Sequence, residues 1–241
     1  MESSYMSYDY LKSFGRIDVI IDGSDYSYEE VDNIPSRDKL TFNNGFYVNC
    51  SAMFVDIRGS SDLPNNHNRP KLAKLYRSYV SEVVAIMNGN IFCTEVNIVG
   101  DCVSGIFNTK YKEGINNVFA TSSRISSLIN VMNYKFEKRG IKSIKVGIGV
   151  SYGRALMVKA GYNGSGINDV VWMGDVVNEA AKLCSYGNRE YYDKRIMVSN
   201  DFYNNLNQVN KDLLEENYNR GCYHGEIGSV EMIEWYENNC K

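Results

Sequence analysis

Two aspartates interrupt stretches whose apolar neighbours predict buried β-strands. Asp56 lies within MFVDIRGSS (53–61), and Asp101 follows a glycine within EVNIVGDCVSGIF (95–107). Aspartate is rare in strand interiors and costly to bury without a partner. The second segment predicts a hairpin with Asp101 at its tip. Two carboxylates that converge across a sheet repel one another unless cations lie between them.

Such a pair of acids suits phosphoryl chemistry with two metal ions. Two divalent ions form a clamp for in-line displacement at phosphorus, and Mg²⁺ or Mn²⁺ prefers oxygen ligands completed by substrate phosphates. Taken singly, each aspartate has a simpler interpretation, because a Gly-Asp pair is often only a turn and an aspartate after a strand often caps a helix. The two together, in this order, favour a metal site.

The elements that must position these acids follow the order β-α-β-β-α-β. This order predicts an α+β fold of ferredoxin-like type, with a mostly antiparallel sheet and helices on one face. Residues 1–45 predict a polar N-terminal leader or linker, and residues 46–241 a catalytic domain. The expected elements up to residue 138 are a strand at 46–57, a helix at 69–89, the hairpin at 90–107 and a helix at 112–138. A strand at 141–153 follows, with ALMVKAGY as its hairpin partner, and then a strand that becomes a helix near Gly174. The last expected elements are a short strand in RIMVS and a return to the sheet near VEMIEWY.

Composition excludes several classes of function. The chain of 241 residues has a net charge of −3 and no basic block, which argues against nucleic-acid binding. No apolar run approaches the roughly 18 residues that span a bilayer, so we expect no membrane association. The N-terminus has no signal-peptide pattern, and the six cysteines form no CxxC pair. These features predict a cytoplasmic protein.

Three segments resemble the class III nucleotidyl cyclases. They are the two already quoted and VVWMGDVVNEAAKL (170–183), and the resemblance covers roughly residues 45–200. It implies an enzyme that cyclises a nucleoside triphosphate to a 3′,5′-cyclic monophosphate and releases pyrophosphate. It also implies two Mn²⁺ or Mg²⁺ ions per site, and a head-to-tail homodimer with composite sites at the interface.

The resemblance assigns roles to individual residues. Asp56 and Asp101 match the two metal-binding acids, and Ile57 matches the residue whose main-chain carbonyl completes the metal site. Asn178 matches the asparagine that orients the ribose, and it comes from the other protomer. Lys182 stands where the family has a transition-state arginine, so the charge is kept but the bidentate fork is lost.

The positions that read the base depart from both purine patterns. Asn97 occupies the position that is usually lysine in adenylyl and glutamate in guanylyl cyclases, and Val171 occupies a second base-binding position that is commonly polar. A smaller base needs fewer polar contacts. The Asn97 amide can pair with the N3/O4 edge of uracil or, flipped, with the N3/N4 edge of cytosine, so the choice between UTP and CTP stays open.

Four further residues are weaker candidates. Arg58 is a candidate phosphate ligand because it follows the metal-binding strand, and Tyr47 is a candidate for stacking on the base, although core packing is the commoner role of a strand tyrosine. The family's triphosphate lysine near the C-terminus has no counterpart in NRGCYHGEIGSVEM. Arg220 or His224 in that stretch could replace it.

Within the family, the details of these segments resemble the bacterial pyrimidine cyclases of the Pycsar antiphage systems. This implies synthesis of cyclic CMP or cyclic UMP as a second messenger in abortive infection, with a cyclic-nucleotide-responsive effector as partner. Two alternatives remain from the sequence: an adenylyl or guanylyl cyclase, and a catalytically silent nucleotide-binding module.

Overall fold

A computed structural model describes residues 5–240. Its strands and helices follow the order expected for an α+β protein. The strands are β1 (Tyr28–Val31), β2 (Gly45–Ile57), β3 (Cys93–Val99), β4 (Cys102–Phe107), β5 (Val146–Gly161), β6 (Asn168–Met173), β7 (Ile196–Val198), β8 (Glu215–Asn217) and β9 (Cys222–Gly225). The helices are α1 (Tyr10–Ile21), α2 (Leu63–Asn66), α3 (Arg69–Asn88), α4 (Lys112–Glu137), α5 (Asp175–Tyr186), α6 (Asn200–Asn205), α7 (Gln208–Lys211) and α8 (Val230–Asn239).

One mixed, mostly antiparallel sheet organises the described residues. The strand order is β3-β4-β2-β5-β7-β9-β8, with β1 parallel to β2 and β6 paired with β5. The four strands β3-β4-β2-β5 and the helices α3 and α4 reproduce the ferredoxin-like arrangement. The predicted α+β class is therefore confirmed.

The two faces of the sheet carry different helices. Side chains alternate along β2, so Met53 and Val55 pack into the main core with α3 and α4. Ala52, on the other face, packs with Val176 and Ala180 of α5. The expectation that all helices share one face is thus wrong for α5. Asp56 has the same parity as Ala52 and lies on the α5 face.

Close packing of α5 on β5 depends on glycine. A Cβ atom at Gly149 would lie 2.1 Å from the Ala180 carbonyl oxygen and 2.1 Å from the Cys184 nitrogen. We expect Gly149→Ala to lower the free energy of unfolding by about 3 kcal/mol, because the clash involves backbone atoms of the helix. Urea unfolding measures this change. Gly153→Ala on the same strand is the matched control, since its Cβ would lie 3.6 Å from Val176; equal losses in both variants would contradict the prediction.

Two predicted strands are wrong. Residues 146–161 form one continuous strand, β5, and its hairpin partner is β6 rather than ALMVKAGY. VEMIEWY belongs to the helix α8, whose Tyr236 ring contacts Tyr134 of α4 edge-on. The apolar residues of that segment recur at helical spacing, but in so short a segment this pattern is hard to distinguish from that of a strand. The chain instead returns to the sheet at β9.

Residues before the predicted domain boundary contribute to the sheet. β1 pairs with the first four residues of β2, from Gly45 to Val48. Leu40 is buried against Phe46 and Met157, and Ile34 packs beside them. The segment predicted as a leader therefore packs against the sheet of the predicted catalytic domain. No helix within residues 5–240 has the length and hydropathy needed to cross a membrane.

Candidate active site

The two predicted metal-binding acids meet at one end of the sheet. Asp56 is the penultimate residue of β2, and Asp101 lies in the turn between β3 and β4. Strands β4 and β2 pair as far as Val103 opposite Val55. This pairing brings the hairpin tip beside the end of β2. Burial and the adjacent charge of Asp101 raise the pKa of Asp56, although Arg58 opposes the change.

The oxygens of this pair fit a divalent cation. Asp101 Oδ2 is buried and has no hydrogen-bond partner within the described chain, which is costly for a carboxylate. The Ile57 side chain is apolar and packs in the core, so any contribution of Ile57 to a metal site would come from its main-chain carbonyl. No group of three or more His, Cys, Asp or Glu side chains within residues 5–240 forms a metal cage. The remaining ligands of a bound ion would therefore be waters and substrate phosphates, as Mg²⁺ prefers.

Arg58 links the end of β2 to the end of α5. One guanidinium nitrogen donates to the Ser185 carbonyl at 3.0 Å, and the other donates to Asp56 Oδ2 at 3.1 Å. The Arg58 side chain is only 16% exposed. In this structure it balances part of the charge on Asp56, and its predicted contact with phosphate stays a prediction.

Asn178 and Lys182 lie on the outer face of α5. Ala180 and Leu183 face the sheet, whereas Asn178 and Lys182, one helical turn apart, are exposed. Within residues 5–240 neither side chain makes a hydrogen bond or an ion pair. Asn178 precedes Ser185 by seven residues, which is about 10 Å along the helix axis. The Asn178 side chain therefore does not reach Asp56 within one protomer, and Lys182, although nearer to Ser185, is exposed on the face of α5 that points away from the sheet.

Asn97 belongs to a hydrogen-bonded cluster that the sequence analysis missed. Its Nδ2 donates to Glu95 Oε1 at 2.9 Å. The other carboxylate oxygen, Glu95 Oε2, accepts from Trp172 Nε1 at 3.0 Å and lies 3.1 Å from an Arg37 guanidinium nitrogen. Arg37 also pairs with Asp169. The only signal in the sequence was the spacing of Glu95 and Asn97, which places them on one face of a strand.

Two predicted base-binding residues lie elsewhere. Val171 pairs with Val158 and points to the opposite side of β6 from Trp172, so it does not join the Asn97 cluster. Tyr47 is nine residues before Asp56, which places it on the opposite face of β2. The Arg154 guanidinium covers its ring at 4.0 Å. In this protomer neither residue approaches the two acids.

The two C-terminal candidates hold the local structure together. Arg220 binds the buried Asp193 through two nitrogens, at 3.2 and 2.9 Å. His224 contacts Asn217 and accepts from the Lys194 amide. Burial lowers the pKa of His224, which favours its neutral form near pH 7. Both side chains are thus engaged in contacts within the protomer, and a contact of either with a triphosphate stays a prediction.

Comparison with known proteins agrees with this geometry. The family model named adenylate and guanylate cyclase catalytic domain matches residues 43–233. The chain belongs to this class III cyclase family. The resemblance of its three segments is thereby confirmed. Members of the family bind nucleoside triphosphates, use divalent metal ions and often work as dimers.

Individual relatives refine the comparison. A uridylate cyclase of Gulbenkiania mobilis is 44% identical over 99% of this chain and 100% of its own length. A uridylate cyclase of Treponema porcinum is 41% identical over 87% of this chain and 72% of its own length. Among solved structures, the adenylyl cyclase CyaB from P. aeruginosa gives a TM-score of 0.60 at 21% identity, over 71% of this chain and 85% of its own. The guanylyl cyclase Cya2 gives a TM-score of 0.60 at 16% identity, over 72% of this chain and 83% of its own. These two structural matches support the fold alone.

Proposed function

We propose that the protein is a uridylate cyclase that converts UTP to 3′,5′-cyclic UMP and pyrophosphate. The observation that supports it most directly is the convergence of Asp56 and Asp101, with a buried oxygen of Asp101 unpartnered. The relatives that match nearly the whole chain are uridylate cyclases, which favours UTP over CTP. The retention of both acids disfavours a catalytically silent module.

In the proposed reaction, the ribose 3′-oxygen attacks the α-phosphorus. The new O3′–P bond forms as the bond from the α-phosphorus to the pyrophosphate oxygen breaks, and the 3′-hydroxyl proton passes to solvent. Asp56, Asp101 and the Ile57 carbonyl would hold Mn²⁺ or Mg²⁺. When bound, the two ions would supply charge stabilisation at the attacking and leaving oxygens. Asn178 would orient the ribose and Lys182 would balance the phosphate charge.

The proposed enzyme is a homodimer with composite sites. Within one protomer, Asn178 and Lys182 point away from the sheet on which Asp56 and Asp101 lie. A second protomer placed head-to-tail would bring the outer face of its α5 to these acids. In a dimer with twofold symmetry, the same contact would then form at both sites. The substrate would then lie between the two chains.

The proposed cellular role is antiphage signalling in the cytoplasm. It rests on the resemblance to the Pycsar cyclases, in which a cyclic-nucleotide-responsive effector is the functional partner. A minimal test compares phage plating on cells that express the cyclase together with a cyclic-nucleotide-responsive effector and on cells that express the effector alone. Equal plating in the presence and absence of the cyclase would contradict this role without affecting the enzymatic proposal.

The substrate is tested by incubating the purified full chain with Mn²⁺ and each of UTP, CTP, ATP and GTP. We expect cyclic UMP as the main product, measured by chromatography and mass spectrometry. Main turnover of CTP would make the protein a cytidylate cyclase, and main turnover of a purine would overturn the proposal. Nucleotide binding with no product from any of the four would favour a silent module.

A further inference from the structure

Glu95 holds the amide of Asn97 in one of its two orientations. A carboxylate accepts hydrogen bonds but cannot donate them, so the group of Asn97 that faces Glu95 Oε1 at 2.9 Å must be the NH₂. Asn97 Oδ1 makes no hydrogen bond within residues 5–240. It is therefore the acceptor that Asn97 presents outward.

Glu95 is itself tightly held. Its side chain is 7% exposed, and its second oxygen lies within hydrogen-bond distance of both Trp172 and Arg37. The hydrogen bond with Trp172 connects β3 to β6, and the ion pair with Arg37 connects β3 to the short helical turn Arg37–Lys39. With two donors on one oxygen and the Asn97 amide on the other, the carboxylate has little freedom to turn.

This cluster lies on the sheet face that carries the metal-binding acids. Asn97 pairs directly with Ser104, and Ser104 with Phe54, so these three side chains share one face. Phe54 has the same parity along β2 as Asp56. Asn97 is thus on the α5 side of the sheet, where the nucleotide would lie.

Uracil and cytosine differ in what they need from an asparagine. Uracil offers a donor at N3 and an acceptor at O4, whereas cytosine offers an acceptor at N3 and a donor at N4. For a base held in one position, the two require opposite orientations of the amide. We propose that Glu95 fixes the Asn97 amide with its oxygen toward N3 of the base, and so selects uracil over cytosine. This inference rests on the proposed function and adds the device that chooses between the two pyrimidines.

The role is that of a positioning residue, because Glu95 acts through Asn97. It also gives the N-terminal segment a part in substrate choice. Arg37 precedes the region 43–233 that matches the family model. Its guanidinium lies 3.1 Å from Glu95 Oε2, the oxygen that also accepts the hydrogen bond from Trp172. The orientation of the base-reading amide therefore depends on residues from three separate parts of the chain.

Glu95→Gln tests the inference. The carbonyl oxygen of the new side chain would stay with the two donors, Trp172 and Arg37, and its NH₂ would face Asn97. The Asn97 amide would then turn over and present its own NH₂ to the base. We expect the ratio of kcat/KM for UTP to that for CTP to fall by about tenfold or more, the effect of one mispaired hydrogen bond.

Three controls separate this role from a structural one. Asp169→Asn changes another partner of Arg37 without touching Asn97, and we expect it to keep the ratio within about twofold of the wild type. Asn97→Ala removes the amide, so adding Glu95→Gln to that variant should leave its ratio unchanged. The wild-type enzyme should also fail to cyclise 3-methyl-UTP, which lacks the N3 proton. This measurement uses the wild-type enzyme and so does not depend on the folding of any variant.

The outcomes distinguish the two proposals. An unchanged UTP/CTP ratio in Glu95→Gln, or wild-type turnover of 3-methyl-UTP at the rate of UTP, overturns the role of Glu95 and leaves the uridylate cyclase intact. A shift of equal size in Asp169→Asn also overturns it, since general loosening would then explain the result. A wild-type chain that makes neither cyclic pyrimidine overturns the proposed function and this inference with it.

Discussion

Asp101→Asn is expected to abolish cyclisation of UTP, with a loss of roughly 10³-fold or more in kcat. The substitution keeps the shape of the side chain but removes one of the two charges that converge at the end of β2. A divalent ion held by the pair would meet a neutral amide oxygen in place of a carboxylate, so its charge would be less well matched. Initial rates at saturating Mn²⁺ and UTP measure the effect.

Thermal unfolding separates loss of the metal site from loss of the fold. In EDTA the Asp101→Asn protein should melt at or above the wild-type temperature, because the substitution removes repulsion with Asp56. Added Mn²⁺ should raise the melting temperature of the wild type but not of the variant. Asp201→Asn, at an exposed position on α6, is the matched control and should behave as wild type in both measurements. Substantial cyclisation by Asp101→Asn would refute the metal assignment.

The convergence of Asp56 and Asp101 could be predicted because its signals are local. An acid after an apolar strand and an acid at a hairpin tip can each be recognised from the neighbouring residues. The antiparallel pairing of β2 with β4 brings the two acids together. The exposed face of α5 was predictable for the same reason, since positions four apart in a helix share a face.

The cluster around Glu95 was not predictable because its contacts join distant segments. Glu95 bonds to Trp172 and lies beside Arg37 across strands that are not paired with one another, and no periodicity in the sequence records such a contact. The polar strand β1 was missed because its residues YEEV show little alternation of apolar and polar side chains. Its partner, the long apolar β2, was plain in the sequence.

Two inactive variants are expected to restore activity when they share a dimer. Asp101→Asn damages the acid half of a site, and Asn178→Ala damages the half that comes from α5. If the sites are composite, a heterodimer of the two has one site with both halves intact and one with both halves damaged. A heterodimer isolated with two affinity tags should therefore reach about half of the wild-type kcat per dimer.

The matched control pairs two defects in the same half of the site. A heterodimer of Asp56→Asn with Asp101→Asn has a damaged acid pair in both of its sites, so it should stay inactive. If each protomer instead held a complete site, the Asp101→Asn and Asn178→Ala heterodimer would also stay inactive, because every site would carry one defect. Recovery in the first pairing and not in the second would follow from the separation seen in the structure, where Asn178 lies on the outer face of α5 and Asp56 on the sheet beneath its other end.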